Sequence, residues 1–339
     1  MPDKLVLKVQ KIGFQWEMEN PFIFCAHHLD AFPKGNSDGG PIVPLRGRNI
    51  GSDFSNKDGF SMYHGDVVPG FPAHPHRGFE TVTIVLEGLV DHFDSKGAKG
   101  RYGNGDVQWL TTGKGCQHAE MFPLVNQDNP NPLELFQVWL NLPKKDKFTE
   151  PSYKMLWAED IPVIKQTNAQ GGIISIRLIS GSVGSINSLD PNSASWAANR
   201  ENHVGIQLIT MDPHTQMILP KVSSTLVRNL YYYRGEDSIK IDSELIPSSN
   251  RIKLSGNHDI IIENNNKIAY MILLEAEPIS EPVFQYGPFV MNTRDEVVKA
   301  YQDFQATEFG GWPWDRRDPI NPLNAGRFAM YANGSVEKR

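Results

Sequence analysis

The stretch His74-Pro75-His76-Arg77-Gly78-Phe79-Glu80-Thr81-Val82-Thr83-Ile84-Val85-Leu86-Glu87-Gly88 joins a ligand-bearing His-x-His to a β-branched run that ends on glycine. Valine, isoleucine and threonine are stiff at χ1 and pack well on a pleated surface, so Thr81 to Val90 reads as strand interrupted at Gly88. Moving outward, Val107 to Leu110 and Leu135 to Leu142 (LFQVWLNL) read the same way. Between them lie turn clusters such as Ser95-Lys96-Gly97 and Gly103-Asn104-Gly105-Asp106, where glycine supplies positive φ and Asn or Asp bonds its own backbone. The first half is therefore an antiparallel all-β unit, not an alternation of strands and helices.

Strand geometry gives the histidines a direction. Side chains at i and i+2 share a face. His74 and His76 form one such pair, and His118 and Glu120 form a second. A single His-x-His also fits the solvent face of a surface strand; the second pair is what points to one site. If the two strands are neighbours, three imidazoles and one carboxylate converge, a shell suited to a first-row transition metal. Cys116 would share that face, but free cysteine is more often a small core residue, and it is read so here. The run Gly97 to Gly103 is followed by a strand and not a helix, so it is not a phosphate loop.

The 339 residues, 40% hydrophobic, call for two cores, and 29 glycines with 24 prolines imply many turns between short strands. Net charge is −6, and no run of five like charges gives an electrostatic footprint for a phosphate backbone, which argues against direct nucleic-acid binding. The N-terminus lacks a secretory apolar segment and no stretch is long enough for a membrane span, so a cytoplasmic protein without membrane association is expected. Two cysteines, Cys25 and Cys116, are too few for a disulfide framework.

Pro143 to Lys147 reads as a polar linker, dividing the chain into domains at 1–147 and 148–339. Beyond it, 173–179 (IISIRLI), 204–210, 226–233, 260–263 and 269–274 form a second strand series. Aligning Leu86-Glu87-Gly88 with Tyr233-Arg234-Gly235 puts Lys221 and Ser223 where the first half has His74 and His76. His203, His214 and His258 have no second ligand at strand spacing and are read as surface or hydrogen-bonded residues. The second half is expected to be metal-free, with a structural or partner-binding role. One helix is expected near the C-terminus: Thr293 and Glu296 make a capping box, and Val297, Tyr301 and Phe304 make its apolar face. Trp312 and Trp314 are read as packing residues that close a domain.

The chain resembles the pirin family, bicupins of the cupin superfamily. The resemblance rests on HPHRGFET (74–81), the LEG ending at Gly88, GDVQWLTTGKG with HAEM (Gly105 to Met121), FQVWLNLPKKDK (136–147) and GPFVMNT (287–293). It implies two tandem cupin-type β-barrels, all-β in class, with an Fe2+ site in the first held by His74, His76, His118 and Glu120. Zinc, nickel, manganese, copper and cobalt are the alternative ions. Generic cupins place a ligand Glu shortly after HxH, where Glu80 stands. Glu80 lies four residues past His76, roughly 13 Å along an unbulged strand, so Glu120 is taken as the ligand and Glu80 as an interior carboxylate. The chain departs from better-known pirins by an expanded Phe32–Phe71 segment, expected to be a surface loop with His27, His28 and His64 in or near it, and by an extension after Trp314.

Four protein ligands leave two positions of a six-coordinate ion open. The first functional expectation is an iron-dependent dioxygenase of the quercetin 2,3-dioxygenase type acting on a small, chelating, flavonol-like substrate, with Glu120 as a candidate base. A redox-sensing regulatory protein that modulates a transcription-factor partner is the alternative, and a zinc staple that only supports folding is a third. A monomer or weak oligomer is expected.

Overall fold

The computed structural model describes residues 4–13 and 15–339. The chain divides into two units, each assembled from two separate stretches. Ala26–Ala158 with Glu281–Arg339 forms one, called here the histidine unit; Met1–Cys25 with Glu159–Ser280 forms the second. This corrects the expected division at 147/148, and the physical reasons are visible at both ends of the chain.

Lys147 is not in a linker: it is 1% exposed, and its Nζ donates to Gly78 O (2.8 Å), Asn141 Oδ1 (2.7 Å) and Val290 O (3.0 Å). Burial draws its pKa down to about 8, so the ammonium still predominates at neutral pH and all three donors are available. Past it, Ser152–Leu156 pairs antiparallel with Val107–Thr111, extending the first sheet by another strand. Near the other end, the GPFVMNT segment returns to the histidine unit: Arg77 N donates to Pro288 O, and Val290 N donates to Arg77 O. That close approach needs Gly78, whose φ is 88° and where a Cβ would meet Val290 O at 2.0 Å. Conversely, Val6–Lys11 pairs with Asn250–Leu254 in the second unit. Lys147→Met leaves three buried acceptors without a donor, and chemical denaturation should show a loss of about 2–4 kcal/mol.

The histidine unit is built on two sheets. One runs in the order Ser152–Leu156, Val107–Thr111, Phe79–Glu87, Asn131–Asn141, Phe22–Phe32, the last belonging to this unit from Ala26 onward; the other runs Val336–Lys338, Phe328–Met330, Lys99–Gly103, Leu89–Asp94, Cys116–Met121, Gly70–His76. Val85, Leu110, Leu135 and Met155 from the first sheet meet Val90, Tyr102, Cys116 and Ala329 from the other in one buried cluster. Burying each large apolar side chain contributes about 1.5–3 kcal/mol. The expected surface loop is corrected in part: Phe60, Met62 and Tyr63 from the Phe32–Phe71 segment belong to this core. Asp30 accepts from Ser61 N (2.8 Å) and Tyr63 OH (2.7 Å), while Arg48 pairs with Asp53 at 2.8 Å, so the segment is folded onto the unit by buried polar contacts.

The second unit has a seven-stranded sheet containing Val227–Arg234, Ala269–Ala276, Gly205–Met211 and Ile173–Ser180 as neighbours, and a four-stranded sheet. Ile176, Ile209 and Leu273 of the larger sheet pack with Met217, Ile239 and Ile262 of the smaller, the two-layer arrangement of a β-sandwich or barrel. The α-helix Arg294–Thr307 carries both halves of the expected capping box, and its Val297, Tyr301 and Phe304 pack with Phe289, Met291 and Phe309. Among the described residues, no helix is long and apolar enough to cross a membrane.

Candidate metal centre

The pairing of Gly70–His76 with Cys116–Met121 brings the two tripeptides together. His74 lies directly across from His118 and His76 across from Cys116, with a register shift between Phe71 and His74. Cross-strand partners share a face, so His74, His76 and His118 all point inward, and their ligand nitrogens lie within 4.8 Å of one another. Ring centroids of His74 and His118 are 4.5 Å apart, and those of His76 and His118 4.9 Å.

Two of the rings are oriented by backbone carbonyls. His74 Nδ1 is 2.8 Å from Pro72 O, and His76 Nδ1 is 3.4 Å from Pro288 O. A carbonyl only accepts, so Nδ1 of each ring carries the proton and Nε2 keeps its lone pair. His76 Nε2 and both nitrogens of His118 are buried without a hydrogen-bond partner. Each such orphan costs about 1–3 kcal/mol unless something satisfies it. Burial disfavours the imidazolium throughout: it draws His74 down to about 4 and holds His76 and His118 well below the ordinary value. Neutral, inward-facing imidazoles with unpartnered nitrogens are what a metal cation requires, and the residues fit one.

Glu120 stands beside this cluster, with Oε2 3.7 Å from His118 Nε2. Thr83 Oγ1 donates to its Oε1 (3.0 Å) and Gln137 Nε2 to its Oε2 (2.6 Å). Trp139 Nε1 donates to Gln137 Oε1 at 3.1 Å, which fixes the amide so that its NH2 faces the carboxylate. Burial pushes the Glu120 carboxyl above its usual range, opposed in part by these donors.

Glu80 is on the other face of its strand. Thr83 faces Glu120, and Glu80 is an odd number of residues from Thr83, so the pleat turns it away. Its Oε1 accepts from Trp109 Nε1 (3.0 Å) and Thr111 Oγ1 (2.6 Å). Cys116 is a buried free thiol in the apolar cluster, and burial pushes its pKa up. His27 contacts Glu134 at 3.1 Å and stacks on Phe136. His28 and His64 flank Phe71, whose ring lies 6.3 Å from that of His74. In the second unit Lys221 is exposed and Ser223 hydrogen-bonds Glu277, and among the described residues His74, His76 and His118 are the one group of three ligand-type side chains close enough to share an ion.

His28 yields a pH prediction. Burial draws its pKa to about 4, so the folded state holds it neutral while the unfolded chain protonates near 6.5. Its contribution to stability is complete above pH 6.5 and is lost as pH falls toward 4, up to about 3 kcal/mol. His28→Phe, which keeps the ring contacts, should flatten denaturant midpoints measured across that window.

One residue pair escaped the sequence reading. His92 lies opposite Glu120 and Asp94 opposite His118 on the strand Leu89–Asp94. The His92 ring is fully buried, 5.7 Å from His118, stacked on Tyr153, and its Nε2 is 3.3 Å from Asp94 Oδ2. The signal was present as a third i, i+2 pair of ligand-type residues in LVDHFD.

The extension past Trp314 is also tied to the site. Ala73 N donates to Arg317 O (2.6 Å) while Arg317 Nη2 donates to Ala73 O (2.7 Å), gripping the residue just before His74. Trp314 Nε1 donates to Asp94 O (2.8 Å) and its ring packs edge-on against Phe93, the packing role expected of it.

Two family models match the chain: Pirin over residues 45–140 and the Pirin C-terminal cupin domain over 207–310. A pirin-like protein of Solanum lycopersicum is 36% identical over 281 residues, 81% of this chain and 89% of that one. A Pseudomonas aeruginosa protein provisionally named a quercetin 2,3-dioxygenase is 36% identical over 242 residues, 71% of this chain and 79% of that one. The crystal structure of a quercetin 2,3-dioxygenase from Acinetobacter baumannii superposes with a TM-score of 0.69 at 22% identity, covering 91% of this chain and 98% of that one, and so shares the fold. With both family models matched in order, and a relative 36% identical across four-fifths of this chain, the chain belongs to the pirin family.

Proposed function

We propose that the protein is a metal-dependent dioxygenase of the quercetin 2,3-dioxygenase type, with His74, His76, His118 and Glu120 as ligands to Fe2+ or another divalent first-row ion. The observation that carries this reading is the cluster of three neutral imidazoles whose ligand nitrogens lie within 4.8 Å of one another, with His76 Nε2 and both nitrogens of His118 buried without a hydrogen-bond partner. An ion held there supplies Lewis acidity and an electron path between a chelating substrate and dioxygen.

The chain's own residues do the rest. Thr83 and Gln137 each occupy one lone pair of the Glu120 carboxylate and leave others for a cation or for a proton from a substrate hydroxyl. Burial favours the protonated carboxyl, which suits Glu120 as the group that accepts that proton. His76, His118 and Glu120 are buried, whereas His74, Phe71, Gln137 and Trp139 are only partly so. Access from solvent therefore runs past Phe71 and Trp139, aromatic faces against which a planar substrate stacks. Trp139 also packs 5.2 Å from the His76 ring, sheltering it from water.

The test is metal analysis of the purified protein, then anaerobic titration of each metal-loaded form with quercetin and product analysis after admission of air. A shifted flavonol absorption and stoichiometric oxygen uptake are expected. Absence of turnover with iron, nickel, manganese, cobalt, copper and zinc alike overturns the enzymatic reading. Because Gln137 orients Glu120, Gln137→Leu should weaken metal binding about 10–100-fold in competition with a chromophoric chelator.

A further inference from the structure

The second unit carries a cavity of about 560 Å³ for which the metal chemistry has no use. Its size falls in the range of small-molecule sites, roughly 300–1,000 Å³. About half of its wall is apolar, with Ile176, Met217 and Leu273 from the core among its residues, and methionine adapts readily to an irregular ligand. The hairpin Ser182–Val183 with Ile186–Asn187 contributes Val183 to the lining.

Polar and charged side chains make up the rest of the wall, and one of them is left with an unsatisfied donor. Arg228 lines the cavity, is 1% exposed, and lies across the sheet from Glu275, to which its Nε donates at 2.6 Å. Its Nη2 donates to Pro220 O at 2.8 Å, but Nη1 is buried with no partner. Gln207, 4% exposed, adds an amide to the lining. Arg228 lines the cavity and its buried Nη1–H has no acceptor, so a ligand oxygen brought to the guanidinium from the cavity would satisfy it. The charge of that acceptor follows from the neighbours. Arg228 is already neutralised by Glu275, and Arg200 lies 3.6 Å from Asp190, so the formal charges around the cavity cancel. A carboxylate would bring an uncompensated charge into a cavity whose charges are already paired; a carbonyl would not.

We propose that this cavity is a second ligand site, independent of the metal centre, which takes a neutral, mainly apolar molecule of bicyclic or tricyclic size through a ketone, lactone or amide oxygen bonded to Arg228 Nη1. The probe is 2-acetonaphthone, compared with naphthalene, which lacks the acceptor, and with 2-naphthoate, which carries the charge. Calorimetric titration of the full-length, metal-loaded protein should give saturable 1:1 binding of the ketone with a Kd on the order of 0.1–1 mM. Both comparison compounds should bind about fivefold or more weakly, as loss of one hydrogen bond or burial of a charge requires. Val183→Trp, which puts a larger side chain on the lining, and the paired change Arg228→Met with Glu275→Gln should each weaken the ketone about tenfold or more. His118→Ala should leave it unchanged. The proposal fails if the ketone does not bind saturably, if 2-naphthoate binds more tightly, if Val183→Trp binds like the parent, or if His118→Ala abolishes binding. Should the paired variant not fold, Val183→Trp, which alters no buried ion pair, decides the matter.

Discussion

His118→Ala should abolish metal retention in the purified protein and, with it, any turnover, while leaving the far-ultraviolet circular dichroism of the sheets unchanged. His118 sits at the meeting point of the cluster: its ring lies within 5 Å of both other imidazoles, and its Nε2 faces Glu120. Loss of one of four ligands should raise the metal Kd on the order of 100-fold or more, taking a share of the roughly 10–16 kcal/mol that such sites supply. The carboxylates discriminate further. Glu120→Gln should lower metal occupancy, whereas Glu80→Gln should keep it and cost stability instead, because Trp109 and Thr111 would then face a weaker acceptor. Full occupancy in Glu120→Gln with loss in Glu80→Gln would reverse the proposed ligand set. Metal content by atomic spectroscopy, read beside unfolding midpoints, separates the two carboxylates.

The strands and the inward histidines were legible because period two is a local property: His-x-His and His-x-Glu need only an extended backbone to share a face, and β-branched runs such as Thr81 to Val85 mark the neighbouring chain as strand. Glu80 could be set aside by reach instead, since four residues of extended chain span roughly 13 Å, although period two alone would leave it on the histidines' face. What the sequence did not disclose depends on partners far away along the chain. Lys147 reads as a linker lysine until Gly78, Asn141 and Val290 are seen around it. The GPFVMNT segment was recognisable, but nothing local to it says that Pro288 orients His76 across more than two hundred residues. Nor does a single hydropathy pattern tell Tyr63, buried against Asp30, from a residue of an exposed loop. His92 is a different case: its spacing from Asp94 matches the pattern of the other pairs, and only the register that sets it opposite Glu120, with its ring 5.7 Å from that of His118, ties it to the site.

Arg101→Leu should be among the most destabilising single changes in the histidine unit, about 3–5 kcal/mol, because it removes one partner of a buried ion pair and leaves the other charged. Arg101 is fully buried and forks onto Asp91, with Nε 2.7 Å from Oδ1 and Nη2 2.8 Å from Oδ2. Its remaining donors hold the chain beyond residue 320: Nη1 reaches Pro322 O (3.0 Å), Leu323 O (3.2 Å) and Ala325 O (3.0 Å), and Nη2 reaches Asn321 O (3.1 Å). These residues lie outside both matched family regions, yet Phe328–Met330 pairs with Lys99–Gly103 and extends the sheet that carries the histidines. Undocking this segment would also release Arg317 from Ala73 and relax the bulge that sets His74. The same variant should therefore weaken metal binding, although Arg101 is not one of the proposed ligands. Asp91→Leu combined with Arg101→Leu should recover part of the stability, since no buried charge then stands alone, but not the metal affinity, because the carbonyls of residues 321–325 still lack their donors. Recovery of both together would mean that the ion pair, and not the grip on the C-terminal extension, is what matters to the site.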